Sequence, residues 1–231
     1  MPQKKRDIIY ILSADTDGEE LRYSLRSVEA NFPHRFVWFI GGQPKGFVPD
    51  RAIKHIQTGA DKWEKIRSSM LKAAVEPELT DEFFLFNDDF FVMKPVKGKF
   101  TNYIDRELTD RIDELYQVHP WLNPYGRSVY KAREELLSLG AAEHNFEVHI
   151  PMLFEKTKVL SILKCSSPQM RSVYGNLNAV PFKQHKDVKV YDTETVPEDA
   201  DFISTNDDIF AKGKVGEYIR QTFAEPSRFE A

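Results

Sequence analysis

Phe83-Phe84-Leu85-Phe86-Asn87-Asp88-Asp89-Phe90-Phe91 decides how the chain is read. An unbroken apolar run ends abruptly in an amide and two carboxylates, and two more phenylalanines follow. A run this apolar belongs to a core strand buried on both faces. Its polar end is then delivered to the edge of a sheet, where charged groups meet solvent and ligands. Residues 82–86 are therefore expected to form a strand, and residues 90–93 a short strand after the acidic turn.

Upstream, strand and helix signals alternate. Residues 7–13 (DIIYILS) form a continuous β-branched and aromatic run, which Asp15-Thr16-Asp17-Gly18 breaks. Asp17 with Glu20 three residues on makes a capping-box-like helix start. Leu21, Leu25 and Val28 fall on one helical stripe, and Asn31-Phe32-Pro33 closes it. Residues 35–41 read as a second strand, ended by Gly41-Gly42-Gln43-Pro44, and residues 52–57 as a weaker third. Residues 62–75 read as a helix with Trp63, Ile66 and Met70 on its buried side, stopped by Glu76-Pro77. This βαββαβ order predicts an α/β fold with an open, mixed but mostly parallel sheet and helices on both faces. Ligands of such sheets bind outside the carboxyl ends of the strands. The polar segments at residues 13–17, 41–43 and 87–89 are thus expected to gather at one edge.

The second half is less regular. Residues 105–117 and 128–139 read as helices, separated by a turn through His119-Pro120-Trp121 and Asn123-Pro124. Residues 146–154 hold His149-Ile150-Pro151, residues 166–178 form a polar, glycine-containing stretch, and residues 214–223 suggest a last helix. Asn206-Asp207-Asp208-Ile209-Phe210 echoes Asn87-Asp88-Asp89-Phe90-Phe91 but is too short to be a repeat. No linker divides the 231 residues, so a single domain is expected.

Composition narrows the function classes. Apolar residues make up 41% of the chain, enough for a real core, and the net charge of −4 argues against a general polyanion-binding surface. One cysteine, Cys165, excludes an intramolecular disulfide and a multi-cysteine zinc site, and fits a reducing cytoplasm. The apolar run at residues 8–12 is too short for a signal peptide or a membrane span. A cytoplasmic protein with no membrane association and no obligate protein partner is expected.

Several residues are candidates for chemistry. Asp88 and Asp89 offer hard oxygen donors suited to Mn²⁺ or Mg²⁺, which take one or two carboxylates plus substrate phosphates. A cation there would neutralise a diphosphate leaving group. The ordinary alternative is an Asx turn capping the strand. Asp15 follows the first strand, where a base or ribose sits in many α/β folds. Arg22 and Arg26, one helical turn apart, are candidate phosphate contacts, with surface ion pairing as the alternative. Lys62 and Arg67 stand near a helix start, where the macrodipole favours anions. His144, Glu147 and His149 lie close together in an apolar segment. If that segment is extended, Glu147 and His149 share a face, which suits a general base or a further metal ligand beside Asp89. Arg171, Tyr174 and Asn176 are candidate acceptor or phosphate contacts, with turn scaffolding as the alternative. There is no phosphate loop, dinucleotide fingerprint, nucleophile elbow or kinase signature.

Glu20-Leu21-Arg22-Tyr23-Ser24-Leu25-Arg26-Ser27 followed by Phe86-Asn87-Asp88-Asp89 resembles the Stealth family of sugar-phosphate transferases, and resembles the phage TET-associated glycosyltransferases more closely. The second resemblance spans most of the chain, from residues 7–12 through the turn at 41–44 and the Lys62 helix to His149-Ile150-Pro151. It implies a GT-A-like fold, with residues 1–100 the nucleotide-sugar half and residues 101–231 the acceptor half. Asn87 and Asp89 then take the outer positions of an Asp-x-Asp motif. Asn87 departs from the usual aspartate, which leaves Asp89 as the main metal ligand. The implied donor is a nucleotide-sugar such as a UDP-sugar, and the implied acceptor is a hydroxymethylated pyrimidine in phage DNA. Lys183, Lys186 and Lys189, or Arg127, Lys131 and Arg133, are the candidate DNA-facing cations. A Stealth-like sugar-phosphate transfer to a glycan and a non-catalytic nucleotide-binding module are the alternatives.

Overall fold

The computed structural model describes residues 5–13, 16, 18–59, 62–118 and 123–231. Its centre is a sheet of five strands in the order β3-β2-β1-β4-β7. β1 (Asp7–Leu12) lies between β2 (Val37–Gly41) and β4 (Glu82–Phe86), parallel to both, and β3 (Arg51–Lys54) extends the parallel array beyond β2. β7 (Met152–Glu155) runs antiparallel along β4. The fold is thus a mixed α/β layer with a mostly parallel sheet, as the strand–helix alternation predicts.

The continuous apolar runs are explained by burial on both faces. Ile8, Tyr10, Leu12, Phe84 and Phe86 pack with Leu21, Leu25 and Val28 of α1 (Glu19–Asn31). Ile9, Trp38, Ile40, Phe83 and Leu85 face the other way, onto Met70 and Ala73 of α2 (Lys62–Ala74). Alternate residues of one strand therefore serve two helical layers.

After the acidic turn the chain leaves the main sheet. β5 (Phe90–Val92) pairs antiparallel with β9 (Phe202–Ser204), and β6 (Asn102–Ile104) pairs parallel with β8 (Phe182–Gln184). α3 (Leu108–Val118) packs on α4 (Pro124–Ser138) around Leu108, Ile112, Val129 and Leu136. A 3-10 helix (Lys156–Lys164), α5 (Met170–Leu177), α6 (Asp207–Lys212) and α7 (Lys214–Thr222) complete the described elements.

Three differences from the sequence expectation have plain causes. α1 begins at Glu19 behind Gly18, whose φ of 86° suits glycine, and among the described residues no side chain caps it. Asp17, the expected cap, lies outside the described residues, and Glu20 instead accepts a hydrogen bond from the Thr205 hydroxyl (2.6 Å). α4 starts at Pro124 rather than at residue 128. Asn123 is its N-cap, with its side chain accepting from the Gly126 N–H (2.8 Å), so the proline read as a turn is the first helical residue. The polar stretch at 166–178 contains α5, where seven consecutive residues from Met170 to Asn176 are buried. A helix covered all round shows no amphipathic stripe to read.

Among the described residues no helix is long and apolar enough to cross a membrane.

Candidate active site at the carboxyl edge of the sheet

The segments that follow β1, β2 and β4 do gather. Gly42 donates its N–H to the Leu12 carbonyl (2.8 Å), and the Gln57 side chain donates to the same oxygen (3.2 Å). Gly41 sits at φ 97°, where a Cβ would stand 2.8 Å from that oxygen, so the close approach needs glycine. Two cavities open along this edge. One, of about 440 Å³, is lined by Ile11, Ser13, Thr16, Gln57, Lys62, Lys65, Ile66, Leu85, Phe86, Asn87 and Asp88. The other, of about 510 Å³, is lined by Asn87, Asp89, Arg111, Glu147, His149, Arg171 and Lys189 together with Trp63, Tyr125 and Tyr191. Lys62, Ile66, Leu85 and Asn87 belong to both walls. Each volume lies within the range of small-molecule sites.

The acidic turn is under-compensated. Burial, and then the charges of Asp89 and Asp207, push the Asp88 carboxyl above its usual range. Asp89 Oδ2 accepts from Lys189 Nζ (2.8 Å) and from the Ser204 hydroxyl (3.1 Å). Its other oxygen, Oδ1, is buried without a hydrogen-bond partner among the described residues. A buried orphan acceptor of this kind is costly and rare. Glu20 joins the group: burial first, then Asp207 and Asp89, raise its carboxyl to about 8 against the Thr205 hydrogen bond. The short echo at Asn206-Asp207-Asp208 thus matters spatially. Asn206 caps α6 through the Ile209 N–H (2.9 Å), and Asp207 adds its charge to the same acidic group.

Across the larger cavity stands a histidine–carboxylate pair. His149 Nδ1 lies 2.9 and 3.0 Å from the two oxygens of Asp187, and Asp187 also accepts the His149 backbone N–H (3.2 Å). A carboxylate partner on Nδ1 fixes the proton there and leaves Nε2 as an acceptor. Burial would raise Asp187, but the His149 hydrogen bond and charge, together with the backbone N–H groups of His149 and Lys189, hold the carboxyl below its usual range. The ring meets Phe90 edge-on at 6.3 Å.

Glu147 is placed otherwise. Its Oε1 accepts the backbone N–H groups of Arg171 (2.9 Å) and Ser172 (3.1 Å), so it caps the first turn of α5. Burial raises its carboxyl despite Arg171 and these donors. The buried Arg171 guanidinium donates to Asn87 Oδ1 (2.8 Å) and the Val148 carbonyl (3.3 Å) and lies over the Phe90 ring at 5.0 Å. It therefore fastens Asn87 to the cavity wall.

Other candidates are drawn elsewhere. Arg22 donates to Glu230 Oε2 (2.5 Å), and Arg26 grips both Glu230 oxygens at 2.7 Å as well as the carbonyls of Phe223 and Ala224. Burial alone would raise Glu230, yet the Arg26 pair brings its carboxyl down to about 2. These arginines, expected as phosphate contacts, clasp a distant segment of the chain and do not line either cavity. Arg67 donates to the Ser167 carbonyl (2.7 Å) and ties α2 to the loop before α5. Asn176 bonds the His144 N–H and carbonyl (2.9 and 2.8 Å) and the Ser172 carbonyl, an internal scaffold rather than a ligand contact. Of the lysines expected to face DNA, Lys189 points inward, with a side chain only 14% exposed, while Lys183 and Lys186 are exposed. Asp15 lies outside the described residues. Sequence reading missed Asp187, Ser204, Asp207 and the inward role of Lys189, because their partners are remote in the chain.

No protein-family model matches the chain, and no curated protein matches it. Among solved structures it is similar to the galactosyltransferase LgtC in complex with donor and acceptor sugar analogs, with a TM-score of 0.47 and 8% identity over 96% of each chain. It is also similar to the glycosyltransferase GlyE of Streptococcus pneumoniae TIGR4, with a TM-score of 0.31 and 9% identity over 56% of this chain and 43% of that one. Likeness of this degree assigns neither a family nor a chemistry to the chain.

Proposed function

We propose that the protein is a glycosyltransferase of GT-A-like architecture that moves a sugar from a nucleotide-sugar to an acceptor hydroxyl. The observation that carries this reading is the meeting of two cavities at Asn87–Asp89, with His149, held by Asp187, on the wall of the second. The cavity beside β1 suits a nucleoside, since it offers the polar groups of Ser13, Thr16 and Gln57 over an apolar floor of Ile11 and Leu85. Lys62 belongs to both cavities, where an ammonium meets a diphosphate laid across the strand ends. Trp63, Tyr125 and Tyr191 give the second cavity the aromatic faces that sugars and flat acceptors pack against.

The donor set suits a divalent cation. Among the described residues no three His, Cys, Asp or Glu side chains form a ready cage. Mn²⁺ and Mg²⁺ need no such cage, because they take few protein carboxylates and complete their shells with water and substrate phosphate. The buried, unpartnered Oδ1 of Asp89 fits that role, with Asp88 beside it. Asp89 and Asp88 would hold the ion, which when bound neutralises charge on the departing diphosphate.

The remaining work falls to the protein. Asp187 holds the Nδ1 proton of His149, so that Nε2 accepts the proton of the acceptor hydroxyl as its oxygen bonds to the anomeric carbon. The bond from that carbon to the phosphate oxygen breaks, and the nucleoside diphosphate leaves. Arg171 and Glu147 keep Asn87 and the first turn of α5 in register. The resemblance to phage DNA-modifying enzymes makes hydroxymethylated DNA the first acceptor to try.

A panel of nucleotide-sugars with Mn²⁺, followed for hydrolysis and for transfer to hydroxymethylated DNA, tests the reading. Asp89→Ala is expected to lower turnover about a thousandfold while melting normally, in line with loss of a main electrostatic contact. Wild-type rates in that variant would end the proposal. Phosphorus retained on the acceptor, seen by product mass, would favour sugar-phosphate transfer instead.

A further inference from the structure

Lys189 occupies Asp89, the main carboxylate of the proposed cation site. Its ammonium lies 2.8 Å from Asp89 Oδ2, and its side chain is 14% exposed. The segment that carries it is fixed on both sides: Val190 donates to the Ser204 carbonyl (2.9 Å), Ser204 donates to the Val188 carbonyl (3.3 Å), and Asp187 holds His149. Lys189 also lines the cavity that Asp89 faces. Yet the ion pair leaves Asp89 Oδ1 buried and, among the described residues, unpartnered. A purely structural pair would not leave half its acceptor stranded.

We infer that Lys189 makes cation binding at Asp89 conditional on a diphosphate: its ammonium guards Asp89 while the site is free of donor and turns to the phosphate oxygens when donor and cation arrive together. This deepens, and rests on, the transferase reading above. Two cations at one carboxylate repel, so the cation alone binds poorly. A diphosphate brings the negative charge that both cations share. Lysine suits the exchange because its ammonium is a compact point charge on a flexible stem, and a good phosphate ligand. A cation bound without donor would only hold water or stray anions at the site, and the guard prevents that.

Binding measurements without turnover test this. Mn²⁺ alone is titrated by electron paramagnetic resonance into wild type, Lys189→Met, Lys189→Gln, Lys189→Arg and the double variant Asp89→Asn/Lys189→Met. Pyrophosphate is titrated by calorimetry without metal, and the Mn²⁺ titration is repeated with pyrophosphate present. The neutral variants are expected to bind Mn²⁺ about tenfold more tightly than wild type, the size of one charge interaction at a half-buried carboxylate. Lys189→Arg should not, and the gain should vanish with Asp89→Asn. Pyrophosphate affinity should fall about tenfold in the neutral variants. Two neutral variants guard against one that folds poorly. Unchanged or weaker Mn²⁺ binding in both, or a gain that survives Asp89→Asn, overturns the inference. If wild type still takes up Mn²⁺ with pyrophosphate, the transferase reading stands without it. If wild type binds Mn²⁺ neither alone nor with pyrophosphate, the metal-assisted reading falls too.

Discussion

Asp7 opens β1 and Asp89 follows β4, so the two carboxylates mark opposite ends of the same parallel strands. Asp7 is fully buried and accepts five N–H donors: two from Arg35 at 2.7 Å, and one each from Phe36, Trp38 and Thr80. Asp89 has one lysine and one hydroxyl on one oxygen and, among the described residues, no partner on the other, with Asp88 and Glu20 near enough to oppose its charge. The amino end of the sheet is closed electrostatically, while the carboxyl end is left with surplus acceptors. Full satisfaction marks a carboxylate that holds the fold. Partial satisfaction marks one kept available for something that arrives later.

That contrast can be broken from either end. The largest expected effect is Asp7→Ala, which strands the buried Trp38 indole N–H and the Phe36 and Thr80 amides and takes the partner from the exposed Arg35. It should cost about 3–5 kcal/mol of stability in denaturant unfolding and leave turnover per folded molecule unchanged. A loss below about 1 kcal/mol would mean the amino end is not the anchor described.

Next is the dyad. His149→Ala should lower kcat by about 10²–10³ with little change in melting, and Asp187→Asn by a smaller factor of about ten. Mn²⁺ affinity should be unchanged in His149→Ala; weaker metal binding in that variant would assign His149 to the cation instead.

The smallest effect sharpens the picture of the acidic edge. Folded Glu20 titrates at about 8 against an ordinary 4.5, because burial and then Asp207 and Asp89 oppose its charge. The folded state therefore keeps a proton that the unfolded chain has lost, and its contribution to stability fades as pH rises from 4.5 towards 8. Glu20→Gln should remove that decline and melt above wild type at pH 8 by on the order of 1–2 kcal/mol, with no difference below pH 4.5. Parallel pH–stability curves would contradict the crowding of charges at this edge.

The sheet was legible because its cause is local. Residues 7–12 and 82–86 need only their own apolar runs to read as strands, and Leu21, Leu25 and Val28 need only their spacing to read as a buried stripe. The gathering of Asn87, Asp89, Glu147, His149 and Lys62 at one pair of cavities follows once the strand order is known. What stayed hidden depends on distance. Asp187 meets His149 across 38 positions, and Lys189 meets Asp89 across 100, from a segment with no strong pattern of its own. Arg22 and Arg26 looked like phosphate ligands because Glu230 stands 208 and 204 positions away. Glu147 and Asn176 hold backbone of a helix that its own polar sequence conceals.

The Glu230 clasp also sets a timetable for synthesis. α1 carries Glu20 towards the acidic edge, but its two arginines gain their counterion only with residue 230, and Phe229, fully buried in the same core cluster, arrives one residue earlier. At ribosomal rates those two hundred positions take on the order of 10–40 s. Over that interval the nascent sheet gains its later strands beside its first helix but has neither Phe229 nor the charge that fixes the helix. The acidic edge is thus secured only once residues 229 and 230 are made, and a nascent chain paused before Phe229 would present a helix with two unanswered positive charges to the chaperones around it.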